Sequence, residues 1–263
     1  MTTLAPSPAT KTVVEKTDVE IQAIRDRIQL VIPPAMFVFL LLVVGAVYIY
    51  SEFDRTTADI LSPDKLIGQF RAHIYVTFWS TLLVVCTAIP LGIVLTREQF
   101  RKYAPTVVAF ANSGQAIPAY GLIIIFFTIM GRGTITAIVA LTVFAIIPVL
   151  RNTMVGLDQV DKATIEAARG MGMSKRQALR QIELPLAVPV ILAGVRTALV
   201  INVGMAALVF LIGAGGLGET INSGLKLQRN TAIFVGASLV ALLALAIDFA
   251  ASLAERYLKP KGI

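Results

Sequence analysis

Six stretches of this chain run on with almost no charged side chain, and that feature limits its fold more than any other. Uncharged residues number 24 between Arg27 and Glu52, 25 between Arg71 and Arg97, 29 between Lys102 and Arg132, and 18 between Arg132 and Arg151. The 35 residues between Glu183 and Glu219 carry one charge, Arg196, and the 25 between Arg229 and Glu255 carry one, Asp248. A helix crossing ~30 Å of hydrocarbon needs about 20 apolar residues, and in lipid a helix satisfies its own backbone polar groups. The expected fold is an all-α integral membrane protein with six transmembrane helices, at about 31–50, 73–95, 105–130, 134–150, 186–212 and 231–254, in one transmembrane domain, 31–258. Only 15% of the 263 residues are charged and 56% are hydrophobic, against about 25% charged in a soluble domain. That excludes a soluble enzyme or DNA-binding domain.

The net charge of +7 does not point to nucleic acid, because the basic residues sit between apolar runs, as in basic cytoplasmic loops. With the N-terminus inside, 16 Lys and Arg fall in inner segments and 6 in outer ones. Both termini are therefore expected in the cytoplasm of a multi-pass protein of the cell (inner) membrane. Residues 1–30 read as a mobile tail and 259–263 as a short one. About 30 polar residues precede the first span without a small-residue cleavage site, unlike a cleaved signal peptide. Ser51 to Gln69 reads as an outer loop turning at Ser62-Pro63-Asp64, and Gly131-Arg132-Gly133 makes spans three and four an antiparallel hairpin. The lone His73 rules out a paired-His metal motif. His73 and Trp79 read as interfacial or packing residues, and Cys86 as a small apolar filler.

The long inner loop, 158–185, carries the most information. Leu157, Val160, Ile165 and Ala168, then Met173, Leu179, Ile182 and Leu184, mark two short amphipathic helices. Asp161 is the N-cap of the first; Ser174 with Gln177 forms a capping box for the second, and Gly170 and Gly172 permit a sharp turn between them. These residues make either a rigid knob on the inner face or an amphipathic loop whose five basic residues, six with Arg151, lie on anionic lipid.

Glu166-Ala167-Ala168, three residues, Gly172, nine residues, Ile182, one residue, Leu184-Pro185 resembles the EAA motif of binding-protein-dependent ABC transporter permeases. The resemblance extends over roughly Ala111 to Pro260. Ala111-Asn112-Ser113-Gly114-Gln115-Ala116-Ile117-Pro118, Ile147-Pro148-Val149-Leu150-Arg151-Asn152-Thr153 and Ile212-Gly213-Ala214-Gly215-Gly216-Leu217-Gly218 look most like the permeases of osmoprotectant importers, which move glycine betaine, choline or carnitine. Methionine and phosphonate importers share the glycine-rich run and the loop motif and are the alternative. The resemblance implies a fold of the ABC type I importer permease kind. It also implies that the loop docks on a cytoplasmic ATPase through Glu166, Ala167, Ala168 and Gly172.

Gly213 to Gly218 satisfies GxGxxG but follows a helix of membrane length instead of a strand, and Glu219 stands where a phosphate loop has lysine. Nucleotide binding is not expected there. Gly213, Gly215, Gly216 and Gly218 instead let the end of span five unwind and pack closely, as a gate-like bend. Asn112, Gln115 and Pro118 interrupt the third span, either as a kink bonded to a neighbouring helix or as lining of a water-filled path. Arg196 and Asp248 lie about 12–17 Å from the inner ends of their helices, at ~1.5 Å per residue. They read as a pair gluing spans five and six, or as a substrate contact.

The function implied is the membrane-spanning permease of an ATP-driven importer, without its own ATPase and binding no cofactor. ATP and Mg belong to partner ATPase subunits. The other partners implied are a second permease chain, identical or homologous, an extracytoplasmic substrate-binding protein and the lipid bilayer, with no nucleic acid. No solute-capturing domain is expected, since the chain ends soon after the sixth span. A membrane-embedded enzyme would cluster nucleophiles or metal ligands in the spans. A secondary transporter would show inverted repeats.

Overall fold

The computed structural model describes residues 31–258 apart from the surroundings of Gly114 and the side chain of Gln115. The tails expected at 1–30 and 259–263, and the Gln115 side chain, lie outside the described residues. In chain order the helices are α1 (Val31–Tyr50), α2 (Arg55–Ile60), α3 (Pro63–Thr96), α4 (Ala104–Ala116), α5 (Ala119–Met130), α6 (Thr134–Asp158), α7 (Lys162–Gly170), α8 (Lys175–Ala178), α9 (Leu184–Ala206), α10 (Gly218–Lys226) and α11 (Asn230–Leu258). Short 3-10 turns occupy Arg101–Tyr103 and Val209–Ile212, and a π turn, Leu179–Glu183, joins α8 to α9. Among the described residues, five helical runs are long and apolar enough to cross a membrane: α1, α3, α6, α8 continued through α9, and α11. A shorter apolar helix, α5, adds to them.

Helix α6 is the centre, with α3 and α9 packed along it and α11 against α9. Small residues set these distances. A Cβ on Gly92 of α3 would lie 2.8 Å from Thr153, and one on Gly194 of α9 would lie 2.7 Å from Asn152 Cβ. Both neighbours therefore approach α6 at the same level because they have nothing there to keep them away. Val84, Ala88, Ala145, Val149, Leu150 and Ala198 fill the space around that contact. By contrast, α1 buries only Val44, against Ile60, Val235 and Leu242. Its Phe39, Leu42 and Ile49 face outward, as side chains solvated by lipid do.

The structure departs from the sequence expectation at several boundaries. The third stretch, expected as one span at 105–130, is two helices separated at Ile117 and Pro118. Proline has no N–H to donate and disfavours helical backbone at the residue before it. Neither piece crosses alone, since 13 and 12 residues extend only about 20 and 18 Å. The outer loop 51–69 is largely helical: α2 lies within it, and α3 starts ten residues before position 73. Asp54 caps α2 by accepting from the Thr57 N–H at 3.0 Å, and Arg229 reaches it at 2.8 Å. The hydrogen bonds from Thr57, with the Arg229 charge adding, hold its carboxyl below the ordinary carboxylate range. Helix α6 continues past Arg151 to Asp158, and α9 stops at Ala206 instead of 212. In each case charge marks the edge of hydrocarbon, while caps, glycine and proline mark the edge of the helix. Cys86 is exposed on α3 and fills no core space.

Candidate functional site

The inner loop folds as a compact knob. Asp161 caps α7, accepting from Ala163 N at 3.2 Å and from the Thr164 hydroxyl at 3.2 Å. Ser174 and Gln177 form a reciprocal capping box on α8, at 3.3 and 2.8 Å. Between them Gly172 turns the chain with φ +91°, a backbone that an L side chain rarely adopts. Gly170 ends α7 and needs no such conformation, so the corner rests on one glycine. Ala168 is buried, while Glu166, Ala167 and Gly172 are exposed. The outward face of the knob is thus one carboxylate beside small residues and bare backbone. Its inward face is apolar, and α8 passes through the π turn directly into α9.

Ion pairs tie this knob to the inner end of α3. Arg97 Nη2 donates to Glu183 Oε2 at 2.8 Å and to Thr96 Oγ1 at 3.1 Å, and its Nε donates to the Ile93 carbonyl at 3.2 Å. Glu183, on the π turn, is only 6% exposed. Arg101 reaches Asp158 at 3.2 Å, and Lys175 approaches Glu98 at 3.9 Å. A cleft of about 420 Å³ lies between the two loops. From sequence Glu183 is only a boundary charge, since its partner is 86 residues away.

At the opposite end of the bundle, the glycine-rich run folds against α3 and the end of α9. Gly213, Gly215 and Gly216 all have positive φ. The hairpin turn feeds into it, with Gly133 N–H donating to the Ile212 carbonyl at 3.0 Å. A Cβ at Gly213 would lie 3.0 Å from Arg132 Nη2, and one at Gly218 would overlap the Ala207 carbonyl oxygen. His73 fixes this region from α3: Nε2 donates to the Val203 carbonyl at 2.9 Å, and Nδ1 accepts from Leu217 N–H at 3.3 Å. Thr220 donates to Gln69 Oε1 at 2.5 Å. His73, expected as an interfacial or packing residue, is fully buried and acts as a structural tie. Asn112 is half-buried on the last turn of α4, and Pro118 is exposed at the N-cap of α5. Both pieces rest on α6, and α5 meets the Val209–Ile212 turn.

Arg196 on α9 and Asp248 on α11 form a two-point pair, Nε to Oδ1 at 2.6 Å and Nη2 to Oδ2 at 2.8 Å. The structure adds a third member, Glu255, at 3.7 Å from Arg196 Nη1. Its seven-residue offset from Asp248 places both carboxylates on one face of α11. Side chains about one quarter exposed, at 25% and 26%, explain why single charges are tolerated inside an apolar run: each is neutralised by its neighbour.

Residues 88–261 match the family described as binding-protein-dependent transport system inner membrane component. The chain belongs to that family. Among relatives of this permease, the choline transport system permease protein OpuBB of Bacillus subtilis is 41% identical over 199 residues, covering 76% of this chain and 91% of that one. The osmoprotectant import permease protein OsmY of Salmonella typhimurium is 40% identical over 197 residues, 75% of this chain and 83% of its own. A chain solved in inward facing conformations of the MetNI methionine ABC transporter superposes with a TM-score of 0.65 at 27% identity, covering 74% of this chain and 97% of that one. The protein is a multi-pass inner-membrane permease subunit, not an enzyme by itself, and the family brings an ATPase and a substrate-binding protein as partners.

Proposed function

We propose that this permease forms half of the path for a quaternary-ammonium osmoprotectant, glycine betaine, choline or carnitine, in an ATP-driven importer. The observation that carries the reading is the likeness to the choline permease, 41% identical across nine tenths of its length. A second copy, or a homologue, supplies the other half. The knob at 158–185 faces the cytoplasm, as do both termini, and docks on an ATPase subunit that does the hydrolysis. Glu166, Ala167 and Gly172 form the docking face, with Ala168 buried behind it: the carboxylate meets polar groups of the partner, and small residues allow close approach. Asn112, Gln115 and Pro118 line the path, and Gly213, Gly215, Gly216 and Gly218 form its outer bend.

Reconstitution with the cognate ATPase and binding protein in proteoliposomes tests the substrate. Labelled glycine betaine, choline or carnitine should accumulate with ATP, and methionine should not. Accumulation of methionine alone would replace the reading with the methionine branch. Single cysteines at Ser174 and Ser62, in a Cys86→Ser background, test orientation: an impermeant thiol reagent on intact cells should label position 62 and spare 174.

A further inference from the structure

We infer that Arg97 and Glu183 are positioning residues that join the coupling knob to α3, so that a displacement of the knob moves α3 and α9 together. The inference rests on the knob being the ATPase-docking element.

Three observations carry it. First, the geometry of Arg97 leaves little freedom, because its guanidinium bonds Glu183, Thr96 and the Ile93 carbonyl at once, at 2.8 to 3.2 Å. A guanidinium held at three points transmits position, whereas a solvated surface pair does not. Second, Glu183 sits on the π turn between α8 and α9 and is 6% exposed. A buried carboxylate with one charged partner is costly to separate from it, so the pair stays closed through motions of the surrounding helices. Third, the contact is not isolated. Arg101 with Asp158 and Lys175 with Glu98, both exposed pairs, meet across the rim of the same cleft and show that the two segments lie side by side there. One turn above Arg97, Gly92 brings α3 into direct contact with Thr153 of α6. Chain connectivity links the knob only to α6 and α9. Ile89 and Ile93 of α3 share an apolar cluster with Leu179 and Leu184, and the ion pair adds to that packing a directional, charged link to the third helix of the core.

The test uses the full complex of permease, ATPase and binding protein in proteoliposomes, and reads solute imported per ATP hydrolysed. A merely structural defect lowers uptake and hydrolysis together and leaves that ratio unchanged. Arg97→Gln and Glu183→Gln are expected to lower the ratio at least fivefold, and Arg97→Lys, which keeps the charge, to stay within twofold of wild type. A wild-type ratio in both Gln variants, or equal losses in uptake and hydrolysis, would overturn the inference. A second measurement avoids folding defects altogether. Glu98→Cys and Lys175→Cys, in a Cys86→Ser background, are bridged by a short bis-maleimide. If the loops move as one body, uptake after bridging remains above half of the unbridged value; arrest on bridging would sink the idea. Glu166→Lys run in parallel separates the two levels. If Glu166→Lys keeps the wild-type ratio, the docking assignment of the knob fails. If it lowers the ratio while both Gln variants do not, only the α3 connection fails.

Discussion

His73 donates from Nε2 to the carbonyl of Val203 at 2.9 Å, and so one imidazole on α3 closes the end of α9. The Val203 carbonyl belongs to the last turn of that helix, where carbonyls lack helical partners. The other ring nitrogen accepts from Leu217 N–H, the residue that caps α10. Only the neutral ring with its proton on Nε2 can do both, donating to a helix C-terminus and accepting at a helix N-terminus.

Replacing His73 with Leu leaves two buried backbone groups without partners, at about 1–3 kcal/mol each. The purified permease should lose about 2–6 kcal/mol of stability, seen as a lowered unfolding midpoint in detergent. His73→Gln, which can still donate and accept, should lose less than half as much. Equal losses for Leu and Gln would show that the ring acts by volume alone.

The Arg196 cluster makes an asymmetric prediction. Arg196→Leu leaves Asp248 and Glu255 as neighbouring uncompensated carboxylates, whereas Asp248→Leu leaves Arg196 with Glu255. The arginine variant should therefore be the less stable, with each single substitution costing about 1–3 kcal/mol. The double variant should fall short of the summed losses by about 1 kcal/mol or more. A thermal-stability cycle checks both, and strict additivity would show that the pair does not interact.

At Gly172 two effects can be told apart. A Cβ there meets nothing within 4 Å in the chain itself, so Ala and Leu share the same backbone strain, about 1–2 kcal/mol at positive φ. If the corner docks on a partner, Leu should abolish transport while Ala keeps a substantial part of it. Equal uptake by the two variants would make Gly172 a turn residue without a docking role.

Gly218→Ala should be severe for a different reason, since its Cβ would overlap a backbone carbonyl at Ala207 that no rotamer change can move. The α9 and α10 ends must separate, at a cost of about 3 kcal/mol or more. Loss of folded protein in size-exclusion chromatography is expected, and normal yield and midpoint would refute it.

What could be read from sequence was what is local. The caps at Asp161 and Ser174 and the turn at Gly172 depend on residues a few positions apart, and their chemistry is written in order along the chain. Proline and polar residues similarly mark the discontinuity in the third stretch, though the two-helix outcome becomes plain only with the backbone at Ile117 and Pro118. The ties that cross the bundle were not legible. Glu183 looks like a boundary charge until Arg97 is brought to it, and His73 looks like a packing residue until two helix ends meet at its ring. Spans drawn from charge alone also fell short for α3 and α6, because a helix does not stop where hydrocarbon does.

At 34 residues α3 is about 51 Å long, well beyond the ~30 Å of hydrocarbon it must traverse. It is a rod gripped near one end by the His73 ring and at the other by the Arg97 guanidinium, 24 residues or about 36 Å apart. Pro90 sits inside it and denies the carbonyl of Cys86 its helical donor, so the rod carries its softest point two turns from the inner grip. The two faces of the membrane thus share one shaft, interrupted between its grips by a single carbonyl without its helical donor.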